Sequence, residues 1–151
     1  MTAVPLLCGG FLLAVLWMDL MFDIQVWRYR KHQGALPEAV LSSIASYYRR
    51  VTTEALPMGY AVGVVMSIAV LTLVTLIVRD PHWVTVFSLP FCVGPILLAM
   101  LRVFPNAVRL GARTDSPAQQ SALARAICRD HFVCLGSILL FIALQLLVIW
   151  S

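Results

Sequence analysis

Charged side chains are scarce in this sequence, and several long stretches contain none. Lysine, arginine, aspartate and glutamate make up 12% of the 151 residues, whereas hydrophobic residues make up 61%. The mean hydropathy of +0.90 is well above that of soluble globular domains. The composition therefore predicts an integral membrane protein and leaves little chain for a soluble domain.

The uncharged stretches are long enough to cross a membrane as helices. They cover residues 2–18, 55–78, 83–101 and 132–150. Each supplies all or most of the roughly 20 apolar residues that a helical span requires. We therefore predict an all-α fold, an integral membrane four-helix bundle that forms a single transmembrane domain over residues 1–151. The expected spans are 4–27, 56–78, 83–104 and 130–150.

Recognisable catalytic motifs and a disulfide framework are also missing. The sequence has no glycine-rich phosphate loop, no G-x-S-x-G elbow and no H-E-x-x-H helix, which excludes the enzymes that depend on them. The four cysteines fall within or beside the predicted spans, so we expect all four thiols to be reduced. No small-residue cleavage pattern follows the first span, and we expect that span to remain in the mature protein.

The positive charges lie almost entirely on one side of the predicted bundle. Ten of the eleven lysines and arginines fall between spans one and two or around the connection between spans three and four; Arg79 is the exception. By the positive-inside rule, this bias puts both termini on the non-cytoplasmic side of a cell or inner membrane. The expected partner of these charges is the lipid bilayer, and we expect no nucleic-acid binding.

An amphipathic helix is predicted between the first two spans, over residues 37–54. Gly34 breaks the chain, and Pro37 suits the first turn of a new helix because its missing N–H would be unpaired there anyway. Apolar residues then recur at helical spacing, opposite serine, glutamate and arginine side chains. Such a helix would lie along the cytoplasmic interface, and it could also cap the mouth of the bundle.

Glycine, serine and proline mark further features of the spans. Gly59, Gly63 and Ser67 form a small-residue stripe on span two, which predicts close approach of another helix, either within the bundle or in a homo-oligomer. Pro90 and Pro95 in span three are expected to bend or break that helix near the middle of the membrane.

Two predictions concern the ends of the chain's long helices. Residues 116–119 combine an N-cap serine, an N1 proline and a capping-box glutamine, which indicates the start of a helix of about 34 residues running to Trp150. Trp27, Trp83 and Trp150 fall near predicted membrane interfaces, as in an aromatic belt. Trp17 does not fit that belt, and we expect it to be packed inside the bundle.

Two carboxylates in the first span are the least expected feature of the sequence. Asp19 and Asp23 follow a hydrophobic run, and each carboxylate inside a bilayer costs roughly 2.5–3.5 kcal/mol even on insertion scales. Their spacing of four residues puts both on one face of the helix. We expect that face to point into the bundle.

These acids belong to a larger polar set that is predicted near the cytoplasmic end of the bundle. One interpretation is a salt-bridged plug that serves insertion and packing only. The other is a polar pocket in which Asp19, Asp23 and His131 are candidate catalytic residues that handle protons. In that pocket, the candidate ligand-binding residues are Arg102, Asn106, Arg109 and Tyr47.

Metal binding is a separate question. Cys128, His131 and Cys134 share a helix face, but the two cysteines would lie roughly 9 Å apart along the axis, too far for one tetrahedral zinc ion. Asp19, Asp23 and His131 would suit a divalent metal such as manganese or iron if the helices bring them together. Because the Glu-x-x-His signature of di-iron bundles is missing, we predict no cofactor.

The segments FPNAVRL after span three and RAICRDHFVCLGSILLF leading into span four resemble the anthrone oxygenase-like family of small membrane proteins. Pro105 and Asn106 match that family's proline-asparagine element, and His131 matches its histidine near the start of the fourth span. The resemblance covers residues 102–141. It implies a four-helix membrane bundle that oxidises aromatic or polyketide-like substrates without a metal.

These observations leave three classes of function open. The leading hypothesis is binding, and oxidation, of a small apolar or aromatic molecule in the cytoplasmic-side pocket. A proton- or ion-coupled transporter or channel subunit would instead need polar residues that reach the outer face, where the sequence offers few. A non-catalytic membrane assembly subunit would use the amphipathic helix to hold its partner.

Overall fold

The computed structural model describes residues 3–31 and 34–150, and residues 1, 2, 32, 33 and 151 lie outside the described residues. The described chain is all-α, as predicted, and contains no strand. Its helices are α1 (Ala3–Trp27), α2 (Glu38–Arg49), α3 (Leu56–Arg79), α4 (Trp83–Leu98), α5 (Phe104–Ala112) and α6 (Pro117–Trp150).

Four stretches of helix are long and apolar enough to cross a membrane, and they make the chain a multi-pass membrane protein. They are Ala3–Trp27, Pro57–Arg79, Trp83–Ala112 and Pro117–Trp150. The third joins α4 to α5 through a π-helical turn at Ala99–Val103. The fourth has 34 residues, so it is about 51 Å long and exceeds the roughly 30 Å of a bilayer core.

The four spanning helices form a ring in which α6 makes the most extensive contacts with its two neighbours. Helix α6 packs against α1 on one side and α4 on the other, and α3 closes the ring by packing against α1 and α4. Gly9 permits the close approach of α1 to α6, because a Cβ there would lie 3.0 Å from Ile142 Cγ1. Within the described residues, α3 makes no close backbone approach to α6. The centre of the ring is therefore left partly unfilled.

Helix α2 covers the end of this ring. Its buried residues Leu41, Ile44, Ala45 and Tyr48 recur at helical spacing and pack with residues of α1, α5 and α6. A π-helical turn at Arg50–Glu54 continues it toward α3. The apolar face of α2 therefore packs on the end of the bundle, so α2 caps it, as the sequence analysis allowed.

Two expectations from the sequence differ from the structure. The helix is not broken at Pro90 or Pro95, since α4 runs through both prolines, and a bend there stays a prediction. A π-helical turn follows at Ala99–Val103. Trp17 is not packed inside but is 62% exposed, because α1 turns this side of the helix away from its neighbours.

The start of α6 is the predicted capping box. The Gln119 backbone N–H lies 3.4 Å from Ser116 Oγ, and the Ser116 N–H donates to Gln119 Oε1 at 3.1 Å. Farther along α6, Ser121 Oγ accepts a hydrogen bond from the Leu36 N–H at 2.9 Å. The chain between α1 and α2 is thereby tied to the projecting part of α6.

Candidate functional site

Asp23 is completely buried where α1, α2 and α6 meet. Its carboxylate oxygen Oδ1 accepts a hydrogen bond from the Tyr48 hydroxyl at 2.7 Å. The other oxygen, Oδ2, lies 2.6 Å from Nδ1 of His131, which is 5% exposed. One carboxylate thus orients an imidazole from α6 and a phenol from α2, and the predicted inward face of α1 is confirmed.

Asp19 lies one helical turn from Asp23, on the same face of α1. Its Oδ1 accepts a hydrogen bond from the Tyr47 hydroxyl at 2.7 Å, and its Oδ2 lies 3.9 Å from His131 Nε2. The ring of Tyr47 is fixed by stacking on Phe22, with ring centroids 3.9 Å apart. The Asp19 side chain is 20% exposed, so unlike Asp23 it remains accessible.

The two tyrosines on α2 serve as hydrogen-bond donors to these acids. Burial raises the pKa of the Tyr47 phenol, and the neighbouring Asp19 carboxylate raises it further. Burial likewise raises the pKa of Tyr48 well above its usual value, with Asp23 and Asp19 adding to the effect. Both phenols therefore keep their protons at neutral pH and can go on donating.

A cleft of about 1270 Å³ occupies the space between α3 and α6, and we call it the central cleft. Most of the side chains that line it are apolar, among them Leu12, Leu16, Val62, Met66, Ile138 and Phe141. Other lining residues, including Leu71 and Met100, are also exposed on the bundle surface, so the cleft is open on the side that faces lipid. Ligand sites of drug-sized molecules typically measure about 300–1,000 Å³, and this cleft has ample room for one.

One edge of the central cleft is polar. Asp19, Tyr47, Tyr48 and His131 line it, whereas Asp23 lies behind His131 and does not. A neutral His131 carries one ring proton. Donation to Asp23 puts this proton on Nδ1, so Nε2, on the side of Asp19, is free to accept a hydrogen bond. We call Asp19 Oδ2 and His131 Nε2 together the acceptor edge.

The remaining sequence candidates lie elsewhere. Among the described residues that line the central cleft there is no arginine or lysine. Arg102 instead pairs with Asp130 at 3.2 Å, and Arg109 pairs with Asp115 at 3.0 Å. Asn106 is half-buried on α5 and is not part of the cleft lining. The structure therefore brings together Asp19, Asp23, His131 and Tyr47, and holds the arginines in separate ion pairs.

Thiols and metal ligands add nothing further to this site. Cys8, Cys92, Cys128 and Cys134 are all free and buried. In residues 3–31 and 34–150, no group of three or more histidine, cysteine, aspartate or glutamate side chains has an arrangement that could hold a metal ion.

Sequence reasoning did not name Tyr48 as a site residue. Tyr48 continues the helical spacing of Leu41, Ile44 and Ala45, a signal that could have assigned it to the buried face. Asp130 is 3% exposed and pairs with Arg102 outside the cleft lining, and no spacing rule indicates that pair. Comparison with protein-family models, with characterised proteins and with solved structures finds no match to this chain.

Proposed function

We propose that this protein binds a small apolar or aromatic molecule in the central cleft. The apolar part of the molecule packs between α3 and α6, and its polar group contacts Asp19 and His131. The site lies toward the cytoplasmic side of a cell or inner membrane, with both termini on the other side. This topology follows from the positions of the arginines along the chain.

The observation that carries the proposal is an apolar cleft that ends at a carboxylate and an imidazole. A salt-bridged plug would fill its space with paired charges, whereas Asp19 and His131 face an open volume of about 1270 Å³. Ligand sites typically combine a mostly apolar wall with a few placed polar groups. Ionisable residues within a membrane also mark functional sites more often than structural ones.

Oxidation of the bound molecule is the finer proposal that the family resemblance implies. In an oxygenase-type reaction that converts a CH2 group to C=O, dioxygen would be the oxidant and water the second product. His131 would accept a proton of the CH2 group at Nε2, which faces the cleft while Asp23 holds Nδ1. The transport hypothesis has less support, since the wall beyond the acceptor edge is mostly apolar. The assembly hypothesis is weakened because the apolar face of α2 packs within the chain itself.

Native mass spectrometry of the protein released gently from its membrane tests the binding proposal. We expect a reproducible small-molecule adduct on the wild-type protein. Gly63→Phe should abolish this adduct. Gly63 lines the cleft and a Cβ there meets nothing within 4 Å, so the phenyl group would occupy space that the ligand needs. Asp19→Ala should weaken it by removing a polar contact.

Gly136→Phe is the matched control, since Gly136 also has open space around it but does not line the cleft. It should keep the adduct. An adduct retained by Gly63→Phe, or a wild-type spectrum without any adduct, would contradict binding in the cleft. The same spectra report whether the protein is a homo-oligomer, which stays a prediction for Gly59, Gly63 and Ser67.

A further inference from the structure

The side-chain donors along the central cleft are nearly all engaged within the protein. The Tyr47 and Tyr48 hydroxyls donate to Asp19 and Asp23. Ser67 donates to the Gly63 carbonyl at 2.9 Å, and Thr52 donates to the Tyr48 carbonyl at 2.7 Å. A donor that is already paired has little to offer a ligand.

The other lining side chains with a polar hydrogen are weak or peripheral donors. The Cys134 thiol points to the Pro95 carbonyl at 3.9 Å, and Cys92 carries only a weak thiol donor. Tyr60 also lines the cleft, with a side chain that is 71% exposed. What the cleft offers is therefore mainly acceptor capacity, located at Asp19 Oδ2 and His131 Nε2.

The charge at this end of the cleft is also one-sided. The ionisable side chains here are two carboxyl groups, Asp19 and Asp23, and one imidazole, His131, which is neutral whenever its Nε2 acts as an acceptor. Among the described lining residues, no arginine or lysine balances them, and the nearby Asp130 is already paired with Arg102. A bound cation would stabilise the ionised form of these carboxyl groups, whereas a bound anion would meet no counter-charge here.

We propose that the molecule bound in the central cleft is a lipophilic amine, held as its ammonium ion by the acceptor edge. This inference rests on the proposed function and specifies its ligand class. The ammonium N–H groups donate to Asp19 Oδ2 and His131 Nε2, which lie 3.9 Å apart and so fit two hydrogens of one nitrogen. The apolar part of the amine fills the space between α3 and α6, which it can reach from the lipid side.

Three pyrene probes of nearly equal shape test this ligand class: 1-pyrenemethylamine, 1-pyrenemethanol and 1-pyrenecarboxylate. At pH 7 they are a cation, a neutral alcohol and an anion. Saturable binding is measured by energy transfer from tryptophan to pyrene, with the protein in nanodiscs of zwitterionic lipid. Discs that carry Gly63→Phe give the baseline for partition into lipid.

We expect the amine to bind about tenfold more tightly than the carboxylate, a difference of about 1.4 kcal/mol. Asp19→Asn should weaken amine binding about tenfold and so remove the preference for the amine, and an unchanged helical circular dichroism spectrum in the nanodiscs shows that the variant is folded. Asp115→Asn removes an equal charge away from the cleft and should leave the preference intact.

The outcomes separate the ligand class from the proposed function. If the alcohol or the carboxylate binds as tightly as the amine, the inference is overturned while binding in the cleft stands. If Asp19→Asn leaves the amine preference unchanged, the acceptor edge is not its source and the inference also fails. If no probe binds above the Gly63→Phe baseline, both the ligand class and binding in the cleft are overturned.

Discussion

At the scale of single residues, the burial of two acids in the bundle is explained by their hydrogen-bond partners. Asp23 has no exposed surface, but each of its two carboxylate oxygens has a partner: the Tyr48 hydroxyl on Oδ1 and the His131 ring on Oδ2. Asp19 has one phenol and keeps the acceptor capacity of Oδ2. Hydrogen bonds to ionised groups are worth about 1.5–3 kcal/mol each, enough to offset part of the cost of removing a carboxylate from water.

Tyr48→Phe should therefore lower the free energy of unfolding by about 1.5–3 kcal/mol at pH 7, because it leaves Asp23 with His131 as its remaining partner. The difference from wild type should shrink as the pH rises above about 10. Above that pH, Tyr48 loses its proton in the unfolded protein, but its raised pKa keeps it protonated in the folded protein. Deprotonation therefore favours the unfolded state, and the wild-type protein loses stability. Denaturant unfolding in mild detergent at pH 7 and pH 11 measures both effects.

Tyr60→Phe is the matched control, since Tyr60 is exposed on α3, and it should stay within about 0.5 kcal/mol of wild type. A Tyr48→Phe variant as stable as wild type at pH 7 would mean that the hydroxyl does not support Asp23.

The sequence predicted part of this residue-level arrangement. The four-residue spacing of Asp19 and Asp23 predicted which face of α1 points inward. Ionisable side chains are rare in or beside apolar spans, and this indicated Asp19, Asp23 and His131 as site candidates. The fate of the arginines was not predictable in this way. A long flexible side chain pairs with whichever acid the tertiary structure brings near, and here Asp130 and Asp115 pair with Arg102 and Arg109.

At the scale of helices, the packing of α2 on α5 positions both tyrosines over the acids. Gly111 is the closest point of this contact, because a Cβ there would lie 2.8 Å from the Arg49 backbone nitrogen. The same interface carries an ion pair between Arg113 and Glu38. A shift of α2 at Gly111 would therefore move Tyr47 and Tyr48 relative to α1.

Gly111→Ala should destabilise the protein by about 1–3 kcal/mol, since the added methyl group meets backbone that can only yield by moving a helix. Gly136→Ala, where the same methyl group meets nothing within 4 Å, should be neutral or slightly stabilising. Thermal unfolding of the two variants in one detergent compares them. Equal unfolding temperatures would contradict close packing of α2 on α5.

Helix limits were predictable where side chains form local caps, and less so elsewhere. The start of α6 follows from Ser116 and Gln119, which bond to each other within one turn. The expected break at the prolines of α4 was wrong, because a proline removes one backbone donor and need not interrupt the rest of the helix.

At the scale of the whole molecule, the central cleft exists because α3 contacts α1 and α4 but not α6 within the described chain. The sequence could not indicate this. Helices that are apolar on every side, as α3 is, carry no periodic signal for which neighbour they touch. Gly59 and Gly63 border the cleft and have open space beside them, so the close contact expected within the bundle is not made there. Close packing of this stripe in a homo-oligomer stays a prediction.

The two ends of the bundle differ in their charge, and this difference underlies the proposed orientation. Helices α2 and α5 and the start of α6 lie at one end, together with most of the arginines. The short connection between α3 and α4 lies at the other end, and Asp80 is exposed within it. The acceptor edge belongs to the arginine-rich end because Tyr47 of α2 donates a hydrogen bond to Asp19, which supplies one of its two acceptors.

Labelling of single introduced cysteines in intact cells tests this orientation. Asp80→Cys should react with a membrane-impermeant maleimide, whereas Ser42→Cys on the exposed face of α2 should react only after the cells are opened. The unsubstituted protein is the baseline and should stay unlabelled, because its four cysteines are buried. The reverse labelling pattern would place the acceptor edge on the non-cytoplasmic side, so that a polar ligand would have to approach it from there.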